Sequence, residues 1–202
     1  MRRFTEGELL VATHNTGKAE EIADLLRPYG VRIRTLAEFG LEPPEETETS
    51  FRGNALLKAR AAALATGKAA LADDSGLSVD ALGGDPGVHT ADWAEGPGGR
   101  DFVRAMRRVH AALEASGAPE PWSARFQCAL ALVWPDGGAE VVEGEIAGRI
   151  VWPMRGQRGH GYDPIFQPDG FAATFAEMDR WEKNRLSHRG RAFAALVGRC
   201  FT

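Results

Sequence analysis

Four small or apolar residues, Ala69, Ala70, Leu71 and Ala72, run straight into Asp73, Asp74, Ser75 and Gly76. A short run of that kind reads as a buried strand. Buried strands belong to α/β folds, which keep their chemistry at the strand ends. The strand is therefore expected to stop at the two carboxylates. Neighbouring carboxylates repel unless a cation or a shared proton offsets their charge, so the segment reads as half of a metal site, with a solvated Asp-Asp-Ser-Gly turn as the alternative.

The flanking periodicities fit that fold class. Residues 9–12 read as a buried strand and 13–17 as a turn. Ala19, Ile22, Ala23, Leu25 and Leu26 then fall at helical spacing, with Glu20 and Glu21 expected in the first turn and Pro28 and Gly30 marking the stop. A second strand is expected over 31–35 and an exposed Pro- and Glu-rich loop over 38–49. Ser50 should cap a helix over 51–65 that Thr66 and Gly67 end. Residues 81–100 read as a long ordered loop and 101–116 as a helix. Strands over 126–134 and 140–146 should form an antiparallel hairpin through Pro135, Asp136, Gly137 and Gly138. Ser187 is expected to cap a last helix ending near Val197. The order of elements predicts an α/β chain with a mixed sheet.

The chain of 202 residues, 44% hydrophobic and 26% charged, is long enough for one globular domain over 1–202, or for two close lobes. A net charge of -4 argues against a nucleic-acid partner and leaves room for a small anionic ligand. Cys128 and Cys200 lack metal-ligand spacing and suggest a reducing compartment. Arg2 and Arg3 are followed by polar residues and only a short apolar run, so neither a signal peptide nor a membrane span is expected, and the expected location is cytoplasmic.

Four segments carry chemistry. In THNTGK, residues 13–18, free N–H groups at a helix start lie beside Lys18 and suit a phosphate. It is no Walker loop, because Ala12 and Ala19 stand where that motif needs Gly and Ser or Thr. Among Glu45, Glu46 and Glu48, one could reach a divalent ion held by Asp74, while the others remain solvated. In KNRLSHRGR, residues 183–191, Lys183, His188, Arg189 and Arg191 gather at a helix start against its dipole, and an anionic or carbonyl-bearing ligand would offset that cost. In GHGYDPIF, residues 159–166, the glycines admit a planar ligand, His160 or Tyr162 can stack on a base and Asp163 can accept a hydrogen bond; burial of Tyr162 and Phe166 in a core is the other reading.

As a set, these residues resemble the inosine/xanthosine triphosphate pyrophosphatases. The resemblance runs through VATHNTGKAEEI, ETETSFRGNALLKA, LADDSGLSVDALGGDPGV, ARFQCALAL, GYDPIFQPDG and the closing AEM, EKN and SHR elements. It implies a two-lobed α/β fold, an elongated mixed β-sheet flanked by helices with a nucleotide cleft between the lobes. It also implies a Mg²⁺-dependent homodimer that cleaves the noncanonical purine nucleotides ITP, dITP and XTP to the monophosphate and pyrophosphate, which keeps deaminated purines out of nucleic acid.

Position by position, the resemblance makes Thr13, His14, Asn15, Thr16, Gly17 and Lys18 the triphosphate cradle, with Lys18 also catalytic. Glu46 and Asp74 become the metal ligands, and Asp74 also the acceptor of the water proton. Asp73 matches a carboxylate that assists the metal or the water, and Ser75 a substrate contact. His160, Gly161, Tyr162 and Asp163 would hold base and sugar, while Lys183, His188 and Arg189 would read the base edge. Hypoxanthine and xanthine carry an acceptor oxygen where adenine carries an amino donor, so donors at that edge reject adenine. Guanine shares the oxygen and is not separated this way. The chain departs from the family pattern at His160, which stands for the usual stacking Phe, and at Glu48, Asp92 and Trp181. A pyrophosphatase with another base preference and a non-catalytic nucleotide sensor are the rival readings.

Overall fold

Alternation along the strands sorts the core before any helix is considered. A computed structural model describes residues 2–201. The strands are β1 (Glu8–Val11), β2 (Arg32–Thr35), β3 (Ala70–Val79), β4 (Trp122–Val133), β5 (Ala139–Ile150) and β6 (Phe166–Pro168). They form one mixed, open sheet in the order β2-β1-β3-β4-β5-β6. The helices are α1 (Thr16–Leu26), α2 (Phe51–Thr66), α3 (Phe102–Ser116), α4 (Arg180–Leu186) and α5 (His188–Cys200). β1 pairs in parallel with both β2 and β3, as a β-α-β crossover through α1 requires, and β5 pairs antiparallel with β6.

The chain divides into two compact units, and β3, β4 and β5 each carry it from one into the other. The first unit holds residues up to Asp74, Cys128–Gly144 and the chain from His188 on. Side chains of successive strand residues point to opposite faces. Leu9, Val11, Leu71, Cys128, Leu130 and Leu132 accordingly pack with Ile22 and Leu26 of α1 and Ala192, Phe193 and Leu196 of α5. Leu10, Ala12, Ala70, Ala72, Ala129, Ala131 and Val133 pack with Ala55, Ala59, Ala62 and Ala63 of α2. The second face is built of small side chains on both layers, which seats α2 close against the strands. α5 is seated closely too: a Cβ on Gly144 would overlap the His188 carbonyl and the Ala192 amide.

The second unit holds Ser75–Gln127 and Glu145–Ser187 and has its own core, in which Leu77, Val79, Val109, Leu113, Phe126, Phe166 and Phe175 meet. Asp101 caps α3 by accepting from the Val103 and Arg104 amides at 2.9 and 3.2 Å. Phe126 lies edge-on to Phe166 at 4.6 Å.

The sheet, the Ser50 cap of α2 and the turn joining β4 to β5 agree with the sequence reading, and four points correct it. β3 does not stop at Asp73 and Asp74 but runs on through Leu77 to Val79, because both carboxylates are matched by cations inside the fold. α1 starts at Thr16, since Asn15 Oδ1 caps the Lys18 amide, so Glu20 and Glu21 fall beyond its first turn. α4, a helix the periodicity did not suggest, runs up to Ser187, whose amide donates to the Lys183 carbonyl at 2.9 Å, and α5 starts directly after that serine. β6, only three residues long, was likewise not expected.

Candidate active site

The phosphate-type segment sits where β1 gives way to α1. Thr13 Oγ1 accepts from the Asn15 amide at 3.1 Å, and Asn15 Oδ1 accepts from the Lys18 amide at 3.0 Å. These two bonds fix the turn, and the first-turn amides of Thr16 and Gly17 have no intrahelical acceptor. The His14 ring lies 3.0 Å from the Leu41 carbonyl. A dipole end with free amides and a nearby lysine is a site for phosphate oxygens.

Asp73 and Asp74 are neighbours on β3 and therefore belong to opposite faces of the sheet. Asp73 follows the Leu71 face, toward α1 and α5. Its Oδ1 lies 2.6 Å from Lys18 Nζ, and its Oδ2 accepts from Arg189 Nε at 2.9 Å and from the Cys128 thiol at 3.0 Å. Arg189 also donates through Nη1 to Glu21, one turn along α1 from Lys18. Asp73 is wholly buried. Burial alone would raise its pKa, but Arg189 and Lys18 outweigh it and hold the carboxyl well below the usual range. Burial likewise pulls on Arg189, and Asp73 and Glu21 outweigh it, keeping the guanidinium charged. The Cys128 thiol is pushed well up by burial and by Asp73.

Asp74 follows the Ala72 face, toward α2. Its Oδ1 accepts from Lys58 Nζ at 3.0 Å, and the same ammonium lies 2.5 Å from Glu46 Oε1. Asp74 Oδ2 is buried with no hydrogen-bond partner. Burial raises the Asp74 pKa, and Lys58 and Lys18 offset this only in part. Burial lowers that of Lys58, but Asp74 and Glu46 outweigh it and leave the ammonium firmly charged. The pair that repels on paper is thus separated by the pleat, and each carboxylate has its own cation.

These residues fit a hard divalent ion. Glu46 Oε1 and Asp74 Oδ1 converge on the Lys58 ammonium, and Asp74 Oδ2 is a buried oxygen without a hydrogen bond. Among the described residues no three His, Cys, Asp or Glu side chains converge. Two carboxylates suit Mg²⁺, which completes its shell with water and substrate phosphates. Glu45 is exposed, and the Glu48 side chain rests against Gly53 with its amide on Asn54 Oδ1 at 3.0 Å.

In the second unit, Asp163 Oδ2 accepts from the His160 amide at 2.8 Å and from Lys183 Nζ at 2.6 Å. Gly159 must be glycine: its φ is +75°, and a Cβ would overlap the Asp163 carboxylate. Tyr162 is buried, donates to the Thr90 carbonyl at 2.8 Å and meets Phe102 edge-on at 5.7 Å. Burial raises its pKa. His160 and Gly161 remain half-exposed, and Ser75 lies half-buried at the start of this unit. Asp92, one of the departures, lies 2.8 Å from the His89 ring, and Trp181 is exposed. His188 and Arg189 open α5 in the first unit, both buried.

Sequence reasoning passed over Lys58 and Glu21. The signal for Lys58 was a lysine on the same helical stripe as Ala55, Ala59 and Ala62, which a solvated lysine would not occupy. The signal for Glu21 was its one-turn spacing from Lys18.

The family model described as "Ham1 family" matches residues 9–199. The dITP/XTP pyrophosphatase of Ruegeria pomeroyi is 59% identical over 200 residues, 99% of this chain and 98% of its own, and that of Rhodospirillum centenum is 55% identical over the same shares. Among solved structures, a HAM1 protein from Coxiella burnetii superposes with a TM-score of 0.86 at 37% identity, covering 96% of this chain and 98% of its own. A nucleoside-triphosphatase / dITP/XTP pyrophosphatase from Mycobacterium abscessus gives 0.74 at 44% identity, over 94% and 98%.

Proposed function

The chain belongs to the Ham1 family, and from that premise we propose that it hydrolyses the noncanonical purine nucleotides ITP, dITP and XTP to the monophosphate and pyrophosphate, clearing deaminated purines from the nucleotide pool. The observation that carries this reading is the division of labour across β3: a saturated, ionised Asp73 that holds Lys18, next to an Asp74 with a raised pKa and one oxygen free.

In the reaction, the amides of the 13–18 turn and Lys18 bind the triphosphate and stabilise charge on its oxygens. A water oxygen bonds to the α-phosphorus, the bond from that phosphorus to the α,β-bridging oxygen breaks, and pyrophosphate leaves with the electron pair. Asp74 takes the water proton as general base. Asp73 cannot share that task, because Lys18, Arg189 and Cys128 occupy both its oxygens. Mg²⁺, held by Glu46 and Asp74, would supply charge neutralisation at the phosphates. Lys183 and His188 serve as the donors to the base oxygen, and Arg189 acts through Asp73. His160 and Gly161 would hold the base, with Tyr162 and Asp163 shaping their loop and Ser75 meeting substrate.

Mg²⁺ dependence and a homodimer are part of the same reading and rest on the family resemblance, and a cytoplasmic location is proposed with them. No helix among the described residues is long and apolar enough to cross a membrane. The reading is tested by pyrophosphate release from ITP, dITP and XTP beside ATP and GTP, with orthophosphate followed separately. Pyrophosphate from the first three alone is the expected result; equal rates on ATP would contradict the base assignment.

A further inference from the structure

Lys58 is the group that joins Glu46 to Asp74. Its Nζ lies 2.5 Å from Glu46 Oε1 and 3.0 Å from Asp74 Oδ1, with 8% of the side chain exposed. Glu46 comes from the loop before α2 and its side chain is 40% exposed, whereas Asp74 is buried in the middle of β3. Two carboxylates of like charge from such different settings separate unless a cation draws them together.

We propose that Lys58 is a positioning residue that stands in for the divalent cation, gathering Glu46 and Asp74 before the ion arrives and competing with it for their oxygens. The inference deepens the function proposed above and rests on it. Three features carry it. The ammonium touches the same two carboxylates assigned to the ion. Asp74 keeps its second oxygen, Oδ2, buried and without a hydrogen bond, so one coordination position is open while Lys58 occupies Oδ1. The residue is also lysine: a compact charge on a flexible stem can withdraw from a carboxylate and turn to a phosphate, which a rigid guanidinium fork does less readily. The cost of displacing the ammonium ties tight ion binding to arrival of the triphosphate, whose oxygens accept the released charge.

A plain structural salt bridge would give a different outcome on titration of Mn²⁺ alone, without nucleotide, into the full chain followed by calorimetry. Replacing the ammonium by a neutral side chain of similar length, Lys58→Met, is expected to tighten Mn²⁺ binding by about tenfold or more, because the competing charge is gone. Lys58→Arg, which keeps the charge, should not tighten it. Adding Asp74→Asn to Lys58→Met should abolish the gain, which locates the ion. If Lys58→Met is unfolded by its thermal transition, Lys58→Gln serves in its place. Unchanged or weaker Mn²⁺ binding in the neutral variants overturns the proposal, and so does a gain that survives Asp74→Asn. Turnover of ITP by the wild-type chain is read separately: no turnover with the expected Mn²⁺ isotherms would sink the proposed function and leave the role of Lys58 standing.

Discussion

Arg189 Nε donates to Asp73 Oδ2 at 2.9 Å, and Nη2 of the same guanidinium lies 3.4 Å from Oδ1, a fork on a carboxylate between residues 116 apart in the chain. With Lys18 on Asp73 and Glu21 on Arg189, negative and positive charges alternate through four side chains drawn from α1, β3 and α5. Lys18 is the member that reaches solvent most, at 17% exposure. The arrangement holds the Lys18 ammonium beside the 13–18 turn and keeps Asp73 ionised.

Asp73→Asn should therefore be costly. Removing one member of a buried pair leaves Arg189 under-compensated, and the expected loss is about 3–5 kcal/mol of unfolding free energy. Urea denaturation of the two proteins measures it; a loss below about 1 kcal/mol would mean that the buried pair contributes little net stability.

The same carboxylate sets a pH dependence. Asp73 has a folded-state pKa held well below its ordinary 3.8. A depressed carboxylate contributes stability that is fully present above its unfolded value and is lost as pH falls through the folded one. The stability gap between wild type and Asp73→Asn should stay flat from neutral pH down to about 5 and narrow below 3.8, as read from denaturant midpoints at a series of pH values. A gap that widens in acid would contradict the assignment.

Asp74→Asn tests the other face of the strand. Loss of the proton acceptor should lower kcat by about 10²- to 10⁴-fold while nucleotide binding remains measurable. The free Oδ2 makes the change mild for folding, so the thermal transition should move little or rise. A near-normal rate would remove Asp74 from its role.

Gly144→Ala probes the seat of α5. The added methyl meets the backbone of His188 and Ala192, which cannot rotate away, so a cost of about 1–3 kcal/mol is expected. Because Arg189 follows directly, activity should fall with it. A thermal midpoint within error of wild type would show that the helix shifts freely.

Most of the sheet, the Ser50 cap and the hairpin were legible because they rest on local signals: alternation, a capping serine, a turn rich in Gly. The end of β3 was misjudged for the opposite reason. Asp73 and Asp74 break the apolar run, and what makes them tolerable mid-strand are Lys18, Lys58 and Arg189, none of them sequence neighbours. α4 is just under two turns of mostly polar residues, held by the Asp179 cap and Lys183 rather than by an apolar stripe, so periodicity could not find it. The carboxylates and basic residues of the site were visible as types; which cation each carboxylate meets depends on which face of the sheet it takes, and that required the register of β3.

The account turns on water attacking the α-phosphorus with Asp74 as its proton acceptor. Hydrolysis of ITP in ¹⁸O-water, with mass analysis of both products, tests this most directly. The expected result is one ¹⁸O atom in the monophosphate and none in the pyrophosphate; label in the pyrophosphate, or release of labelled orthophosphate, would contradict it.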